Sequence, residues 1–305
     1  MATHHFTPDH YYLTLGSHEP VLRIADGDTV ITTTVDARGY DSAGTRVSEA
    51  GNPMTGPFYL EGAEPGDALV VTLQRVEPNR EHGWSYIPVA PNVLEPMYVA
   101  GLPARDQRDV VRWRVDTRAG TATLEEPDGT SLGRFTIPIA PMIGCFGVAP
   151  SRGQAISTET SGEHGGNMDY RGFVAGVTVR FPVFVTGALF HIGDVHAVQG
   201  DGEIGGTGIE ISSDVEFRVQ LEKEAGLSWP AGENERYIFT VGNARPLDQA
   251  VQHATTEMLR RLEHEHGLDA ASAGILMSQC VEYDVGNIYD PAYTMVCKLA
   301  KDLLP

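Results

Sequence analysis

The chain has 305 residues, of which 41% are hydrophobic, and this is enough apolar material to bury a core in one large domain or two modest ones. Lys and Arg total 22 against 41 Asp and Glu, and the formal charge of −19 makes nucleic acid and anionic membranes poor candidate partners. No apolar run approaches the roughly 20 residues of a membrane helix, and the start lacks the pattern of a secretory signal. We therefore expect a cytoplasmic protein.

Short segments of β-branched and aromatic residues, separated by Gly and Pro throughout the chain, indicate a mostly β protein. Several of them alternate apolar and polar residues with a period of two, as a half-buried antiparallel sheet requires. The clearest predicted strands are residues 29–36, 68–76, 111–115, 121–125 and 174–185.

Two helices are predicted near the C-terminus, followed by a closing strand at residues 293–300. The second helix runs from an Asp269 cap to about Gln279. The first carries one apolar stripe that ends at Gly267, formed by Val251, Ala254, Met258, Leu259 and Leu262.

This order of elements predicts an α+β fold, a mostly β sandwich or barrel with a C-terminal αβ portion. We treat residues 1–305 as a single unit. Within it, we expect a mainly β core at 1–240 that carries the site, and a helix pair with the closing strand at 241–305.

The segment "HIGDVHAVQGDGE", residues 191–203, is dense in polar residues. In an extended strand Asp194 and His196 share a face, which is a common beginning of a metal site, although the same triplet also occurs in polar turns. Glycines on both sides of Asp201 allow a tight turn that returns Glu203 to this face. His191 falls on the opposite face, so we expect it to pack rather than react.

A second polar segment, "ETSGEHGGNMD" at residues 159–169, is either a solvated loop or a ligand-binding loop. We expect a strand pair at residues 174–190 to bring the two segments together. Asp169, Asp194 and His196 would then offer two oxygens and a nitrogen to zinc or another borderline divalent ion. His164 and Glu203 would remain for proton transfer.

Cys145, between glycines in "MIGCFGVAP", supports a third interpretation. A thiolate nucleophile needs a nearby base or cation, and a buried free thiol is the alternative for this residue.

Five stretches taken together resemble the acetamidase/formamidase family of amide hydrolases: residues 52–71, 141–150, 161–169, 181–203 and 284–295. The resemblance implies hydrolysis of a short amide, formamide or acetamide, to a carboxylate and ammonia. It also implies a largely β scaffold and a divalent metal, with zinc as the first choice and calcium as the second.

The polar signatures of the family fall on His164, Asn167, Asp169, Asp194, His196 and Glu203, and its N-terminal pattern falls on Asp36. From the residues we assign Asp169, Asp194 and His196 to the metal, Glu203 as the base and His164 as the group that steadies the oxyanion. Asn167 and Asp36 are assigned to the substrate.

Two other functions stay open at this point: a metal- or ligand-binding β protein without turnover, and a thiol-dependent amidase that uses Cys145. The expected partners are a small amide substrate and further copies of the chain in a closed homo-oligomer.

Overall fold

The computed structural model describes residues 1–103, 106, 109–125 and 130–305. The first eleven strands are β1 (Thr3–His5), β2 (Thr14–Leu15), β3 (Leu22–Ile24), β4 (Thr29–Thr34), β5 (Met54–Leu60), β6 (Ala68–Pro78), β7 (His82–Tyr86), β8 (Val110–Asp116), β9 (Thr121–Glu125), β10 (Thr136–Pro138) and β11 (Met142–Gly147). The next six are β12 (Ile156–Ser157), β13 (Ser161–Gly162), β14 (Gly165–Asn167), β15 (Thr178–Pro182), β16 (Phe190–His196) and β17 (Ser213–Glu222).

The remaining elements include the C-terminal helix pair and closing strand that the sequence predicts. The α-helices are α1 (Pro96–Ala100), α2 (Leu247–His266) and α3 (Ala270–Cys280). The remaining strands are β18 (Ala231–Glu233), β19 (Tyr237–Ala244), β20 (Glu282–Asn287) and β21 (Tyr293–Ala300). The predicted fold class, mostly β with a late helix pair, is confirmed.

Two large sheets form the body of the protein. One has nine strands in the order β1-β4-β17-β6-β15-β18-β19-β21-β20, and the other has six in the order β13-β14-β11-β16-β5-β3. Apolar residues from both sheets meet in one buried core that is rich in phenylalanine. A four-stranded sheet, β10-β9-β8-β7, packs at the side with a small core of its own.

The predicted strands differ from the observed ones mainly at their ends. Strands β9 and β21 have the predicted bounds, whereas β4 stops at Thr34 and β6 continues to Pro78. The prediction of one strand over 174–185 is too long, because Gly176 has φ of 93° and turns the chain just before β15 begins at Thr178.

The helix pair covers the outer face of the nine-stranded sheet at β19 and β21. As predicted, α2 ends at Gly267 in a left-handed cap with φ of 64°, and the Asp269 carboxylate caps α3 by accepting a hydrogen bond from Ser272 N at 2.7 Å. Leu259 does not belong to the buried stripe, because its side chain is 37% exposed.

The C-terminal strands β19, β20 and β21 continue the nine-stranded sheet, so the two expected portions of the chain share one sheet. The division of the chain near residue 240 stays a prediction. None of the helices in the described residues has the length and apolar character needed to span a membrane.

The aromatic core predicts which substitutions weaken the fold. Phe146 on β11 is fully buried, and its ring packs edge-on against Phe173, Phe181 and Phe190. Phe146→Ala should lower the free energy of unfolding by about 3–5 kcal/mol, since it removes a buried ring and leaves a cavity. Denaturant unfolding measures this, and Ile275→Ala, at a side chain that is 71% exposed, should change it by less than about 0.5 kcal/mol.

Candidate active site

Strand β11 brings the two predicted polar segments together. It pairs antiparallel with β14, where Cys145 lies opposite Asn167, and with β16, where Met142 lies opposite His196. The sequence predicts this role for a strand pair at residues 174–190, and that prediction is wrong because β15 belongs to the nine-stranded sheet instead. The central position of β11 is what makes the segments neighbours.

His196 lies among the acidic side chains with one ring nitrogen already engaged. Its Nδ1 donates to Gln199 Oε1 at 2.8 Å, and the Gln199 amide nitrogen in turn donates to the backbone carbonyl of Asp169 at 2.5 Å. In its neutral form the imidazole therefore presents the lone pair of Nε2, which lies 2.9 Å from Glu210 Oε1 and 3.6 Å from Asp194 Oδ1. A histidine held in this way through its other nitrogen is typical of metal ligation.

The side-chain amide of Asn287 contacts three carboxylates. Its Nδ2 lies 2.8 Å from Asp169 Oδ2, 2.8 Å from Glu203 Oε2 and 3.0 Å from Asp290 Oδ2. Its Oδ1 accepts hydrogen bonds from the backbone N–H groups of Tyr289 and Asp290, so the backbone after β20 sets the orientation of the amide. Asn287 thus fixes where Glu203 points.

Two further amides connect the acids across the site. Asn52 Nδ2 donates to Asn167 Oδ1 at 3.0 Å and to Asp194 Oδ2 at 3.1 Å. Asn167 Nδ2 donates to Asp290 Oδ2 at 2.6 Å. Asn167 therefore orients the carboxylate of Asp290, and it also lines a cavity beside the acids.

Two overlapping groups of side chains have the geometry to hold a metal ion. The candidate ligand atoms of Asp169, His196 and Glu203 lie within 4.8 Å of one another, and so do those of Asp194, His196 and Glu210. Buried polar atoms without partners are rare, because each costs about 1–3 kcal/mol. Four atoms here have no hydrogen-bond partner among the described residues: Asp169 Oδ1, Asp194 Oδ1, His196 Nε2 and Glu210 Oε2.

Three acidic residues of the site have a left-handed backbone conformation. The angle φ is 45° at Asp169, 53° at Asp194 and 44° at Glu203. Such conformations cost a non-glycine residue of the order of 1–3 kcal/mol each and persist only where the surrounding structure holds them. The surrounding structure thus holds these three residues, whose carboxylates belong to the two overlapping groups around His196, in strained conformations.

Two glycines leave room for the side chains of Asp169, Asp194 and His196. A Cβ on Gly144 would lie 2.5 Å from Asp169 Oδ1 and 2.8 Å from Asp194 Oδ2, and a Cβ on Gly208 would lie 2.6 Å from the His196 ring. These distances are shorter than real Cβ contacts, so even alanine at either position would displace the group it faces.

Burial and the charges of neighbouring groups raise the pKa of two glutamates in the site, Glu203 and Glu210. Burial and the charges of Asp169 and Asp290 hold the pKa of Glu203 well above its usual range, and burial raises the pKa of Glu210 to about 7. Burial by itself lowers the pKa of His196, but the carboxylate of Glu210 outweighs this and raises it. A carboxyl group with a pKa of about 7, as at Glu210, is suited to exchanging protons near neutral pH.

A polar cavity of about 450 Å³ opens onto these groups. Asp194, Glu203 and Glu210 line it, whereas Asp169 and His196 lie outside the lining. A small molecule in the cavity would therefore meet Glu203 and Glu210 directly.

The structure does not bring His164 to the acids. Its buried ring is not part of the cavity lining, and Nε2 has no hydrogen-bond partner among the described residues. Burial lowers the pKa of His164 to about 4, so the imidazole is neutral at pH 7. His191 is also buried, and its Nδ1 donates to the carbonyl of Leu189 at 3.0 Å, as suits a packing residue.

Asp36 is buried beside the cavity and does not line it. Its Oδ2 accepts hydrogen bonds from Arg80 at 2.5 Å and from Trp84 Nε1 at 3.0 Å. Its Oδ1 accepts from the backbone N–H groups of Arg38 at 3.0 Å and Tyr40 at 2.9 Å. With both oxygens occupied, Asp36 holds a loop and an indole ring in place.

Five residues of the site were not predicted from the sequence. Four of them, including the glutamine of the 191–203 segment, lie in the stretches that resemble the family, so they could have been considered. Glu210 had no local signal, because only the pairing of its backbone with Trp84 and His196 brings it in. The five are Asn52, Gln199, Glu210, Asn287 and Asp290.

Comparison with known proteins gives consistent matches. The family model described as "Acetamidase/Formamidase family" matches residues 19–161 and 152–273. An acetamidase from Mycolicibacterium smegmatis is 28% identical over 248 residues, and a formamidase from Methylophilus methylotrophus is 27% identical over 214 residues. These alignments cover 64% and 56% of this chain.

The chain spans only 59% of that acetamidase and 52% of that formamidase. Among solved structures, an acetamidase from Yersinia enterocolitica superposes with a TM-score of 0.85 at 34% identity. That match covers 99% of this chain and 93% of the other.

The position of Cys145 predicts an unreactive thiol. The side chain is fully buried, and burial together with the charges of Asp194 and Asp169 raises the pKa of the thiol well above its usual value. In the folded protein at pH 7, iodoacetamide should modify Cys145 far more slowly than the partly exposed Cys280. Peptide mapping by mass spectrometry measures both, and faster labelling of Cys145 would support the thiol-dependent mechanism.

Proposed function

The chain belongs to the acetamidase/formamidase family, and from this premise we propose that it hydrolyses short aliphatic amides to a carboxylate and ammonia with the help of a divalent metal ion. Because the chain spans little more than half of its curated relatives, the activity is inferred from the site as well as from the family. The observation that supports it most is Glu203, a buried acid that lines the cavity beside a cluster of unpartnered donor atoms. A cytoplasmic location and a homo-oligomeric state stay predictions from the sequence.

The donor atoms fit a metal ion. Asp169 Oδ1, Asp194 Oδ1 and His196 Nε2 are buried atoms without hydrogen-bond partners among the described residues, and Glu210 adds a further oxygen. A set of carboxylate oxygens with one imidazole nitrogen suits zinc, whereas calcium prefers oxygen ligands alone. We therefore propose zinc, held by Asp169, Asp194 and His196 with Glu210 beside them.

Bound at these residues, the ion would lower the pKa of a water molecule and polarise the amide carbonyl. The remaining task is proton transfer, because ammonia leaves poorly from an amide unless the nitrogen is protonated. Glu203 suits this task, since its Oε2 is held by Asn287 and its pKa is raised by burial. We propose that Glu203 accepts the proton of the attacking water and passes it to the departing nitrogen.

Glu210 is the rival for the role of base, because it also lines the cavity and burial raises its pKa to about 7. Its Oε1 lies 2.9 Å from His196 Nε2, whereas the carboxylate of Glu203 is held through Oε2 by the Asn287 amide. We therefore propose that Glu210 supports the metal and that Glu203 transfers the proton. The position of His164 gives no support to its predicted role at the oxyanion.

Replacing the base should abolish turnover without emptying the metal site. Glu203→Gln should lower kcat for acetamide or formamide by at least roughly a hundredfold, because the amide side chain cannot accept the proton. Ammonia release measures turnover, and metal analysis of the same sample should show unchanged occupancy. Glu163→Gln, at an exposed acid outside the cavity, is the matched control and should behave as the wild type. Full activity of Glu203→Gln would transfer the role to Glu210.

A substitution that blocks the donor cluster should lower the metal content and the activity together. Gly144→Ala places a Cβ against Asp169 and Asp194, so bound zinc should fall at least about tenfold and ammonia release should fall with it. Gly274→Ala, where a Cβ meets open space in α3, is the control. Equal ammonia release before and after complete removal of metal by a chelator would contradict the metal dependence, and no ammonia from any amide would favour a binding protein.

A further inference from the structure

The cavity wall carries one basic group that the proposed reaction does not use. The guanidinium carbon of Arg38 lies 4.0 Å from the centroid of the Trp84 ring and 5.8 Å from that of Tyr86, and all three side chains line the 450 Å³ cavity. Among the described residues, the guanidinium forms no ion pair or hydrogen bond. Arg38 is thus an unpaired cation on a wall of the same cavity as Glu203 and Glu210.

Arg38 is tied to the reactive end of the cavity through two routes. Its backbone N–H donates to Asp36, which also accepts from the indole N–H of Trp84, so one buried carboxylate sets the loop and the ring together. The backbone of Trp84 exchanges hydrogen bonds with that of Glu210, at 3.2 Å and 2.8 Å. The guanidinium therefore lies on an aromatic platform directly connected to Glu210.

The second route runs through the neighbouring residue. The carbonyl of Ala37 accepts hydrogen bonds from the backbone N–H groups of Gly51 at 3.0 Å and Asn52 at 3.3 Å. The side chain of Asn52 donates to Asp194. The segment before Arg38 is therefore fixed to the same amide that orients a proposed metal ligand.

A guanidinium stacked on an aromatic ring keeps its edge N–H donors available. Arginine presents them in a planar fork that matches the two oxygens of a carboxylate, and a ring beneath it reduces the freedom lost on binding. None of the acids in the described cavity lining forms an ion pair with the Arg38 guanidinium, although the chain has 41 acids against 22 bases. The guanidinium is therefore free to pair with an anionic group on a bound ligand.

The size of the cavity supports a ligand longer than acetamide. Cavities of about 300–1,000 Å³ commonly hold molecules much larger than a simple amide, and this one measures about 450 Å³. An amide whose carbonyl lay at Glu203 would leave the part of the cavity beside Arg38 to a substituent on its acyl carbon. The charge of Arg38 favours a carboxylate at the end of that substituent.

We propose that Arg38 binds a carboxylate of the substrate, so that the preferred substrates are short primary amides that carry a carboxylate on the acyl side, such as the monoamides of malonic and succinic acid. This inference rests on the proposed amide hydrolysis at the same site. It adds a specificity-determining residue and a substrate class to that reaction.

The test compares two amides of equal length. Succinamate carries the carboxylate, and levulinamide replaces it with a methyl ketone of nearly the same shape. The ratio of kcat/KM for succinamate over levulinamide should exceed one in the wild-type protein and should fall at least roughly tenfold in Arg38→Gln, since a charged hydrogen bond is lost. Arg38→Lys should give an intermediate ratio, because it keeps the charge and loses the fork.

Arg46→Gln is the matched control, because Arg46 is exposed, lies outside the cavity and donates its Nε to the backbone of Ser48. It should leave the ratio unchanged. A ratio that is the same in Arg38→Gln and the wild type, or a wild-type preference for levulinamide, would overturn the inference while amide hydrolysis stands.

Failure of the proposed function gives a different result. If no amide releases ammonia, calorimetry with succinamate and levulinamide as ligands tests Arg38 directly. Tighter binding of succinamate that weakens at least roughly tenfold in Arg38→Gln would support the anion site without the reaction. Equal binding of succinamate by wild type and Arg38→Gln would reject it.

Discussion

Crowding of negative charge in a buried space is the constraint on which the site depends. Five acidic side chains, none more than 7% exposed, meet around a single imidazole: Asp169, Asp194, Glu203, Glu210 and Asp290. Carboxylates removed from water cannot all stay ionised unless donors or cations compensate them. The amides of Asn52, Asn167 and Asn287 compensate part of this charge, and the oxygens that they do not reach are those best placed to bind a cation.

The scaffold holds this arrangement through an irregularity in one strand. In a regular strand Ile192, Asp194 and His196 would share a face. In β16, Ile192 and Val195 both belong to the phenylalanine-rich core, whereas Asp194 and His196 both reach the acids. The left-handed backbone at Asp194 breaks the alternation and allows this. Packing of the core therefore stabilises a backbone that the isolated segment would not adopt.

Local patterns predicted the fold class, both C-terminal helices and the closing strand, because periodicity and caps depend on neighbours in the chain. They also selected Asp169, Asp194, His196 and Glu203, since polar residues at short spacing around glycine are visible in the sequence. The amides were harder to find, because Asn52 and Asn287 act only after sheet pairing brings them to acids more than a hundred residues away. Glu210 reaches His196 through an isolated β-bridge that no local spacing reveals.

Contacts from the C-terminal portion decide where the proposed base lies. The turn that carries Glu203 is paired to the backbone of β20 and the residue after it, since Gly202 N donates to Val285 O at 2.9 Å and Ile288 N donates to Gly202 O at 2.9 Å. Asn287, between these two, holds the carboxylate of Glu203 itself. The proposed metal ligands Asp194 and His196, in contrast, lie on a strand of the six-stranded sheet. The proposed base and these two residues are thus held by different parts of the chain, and docking of the C-terminal strands brings Glu203 into the cavity that Asp194 lines.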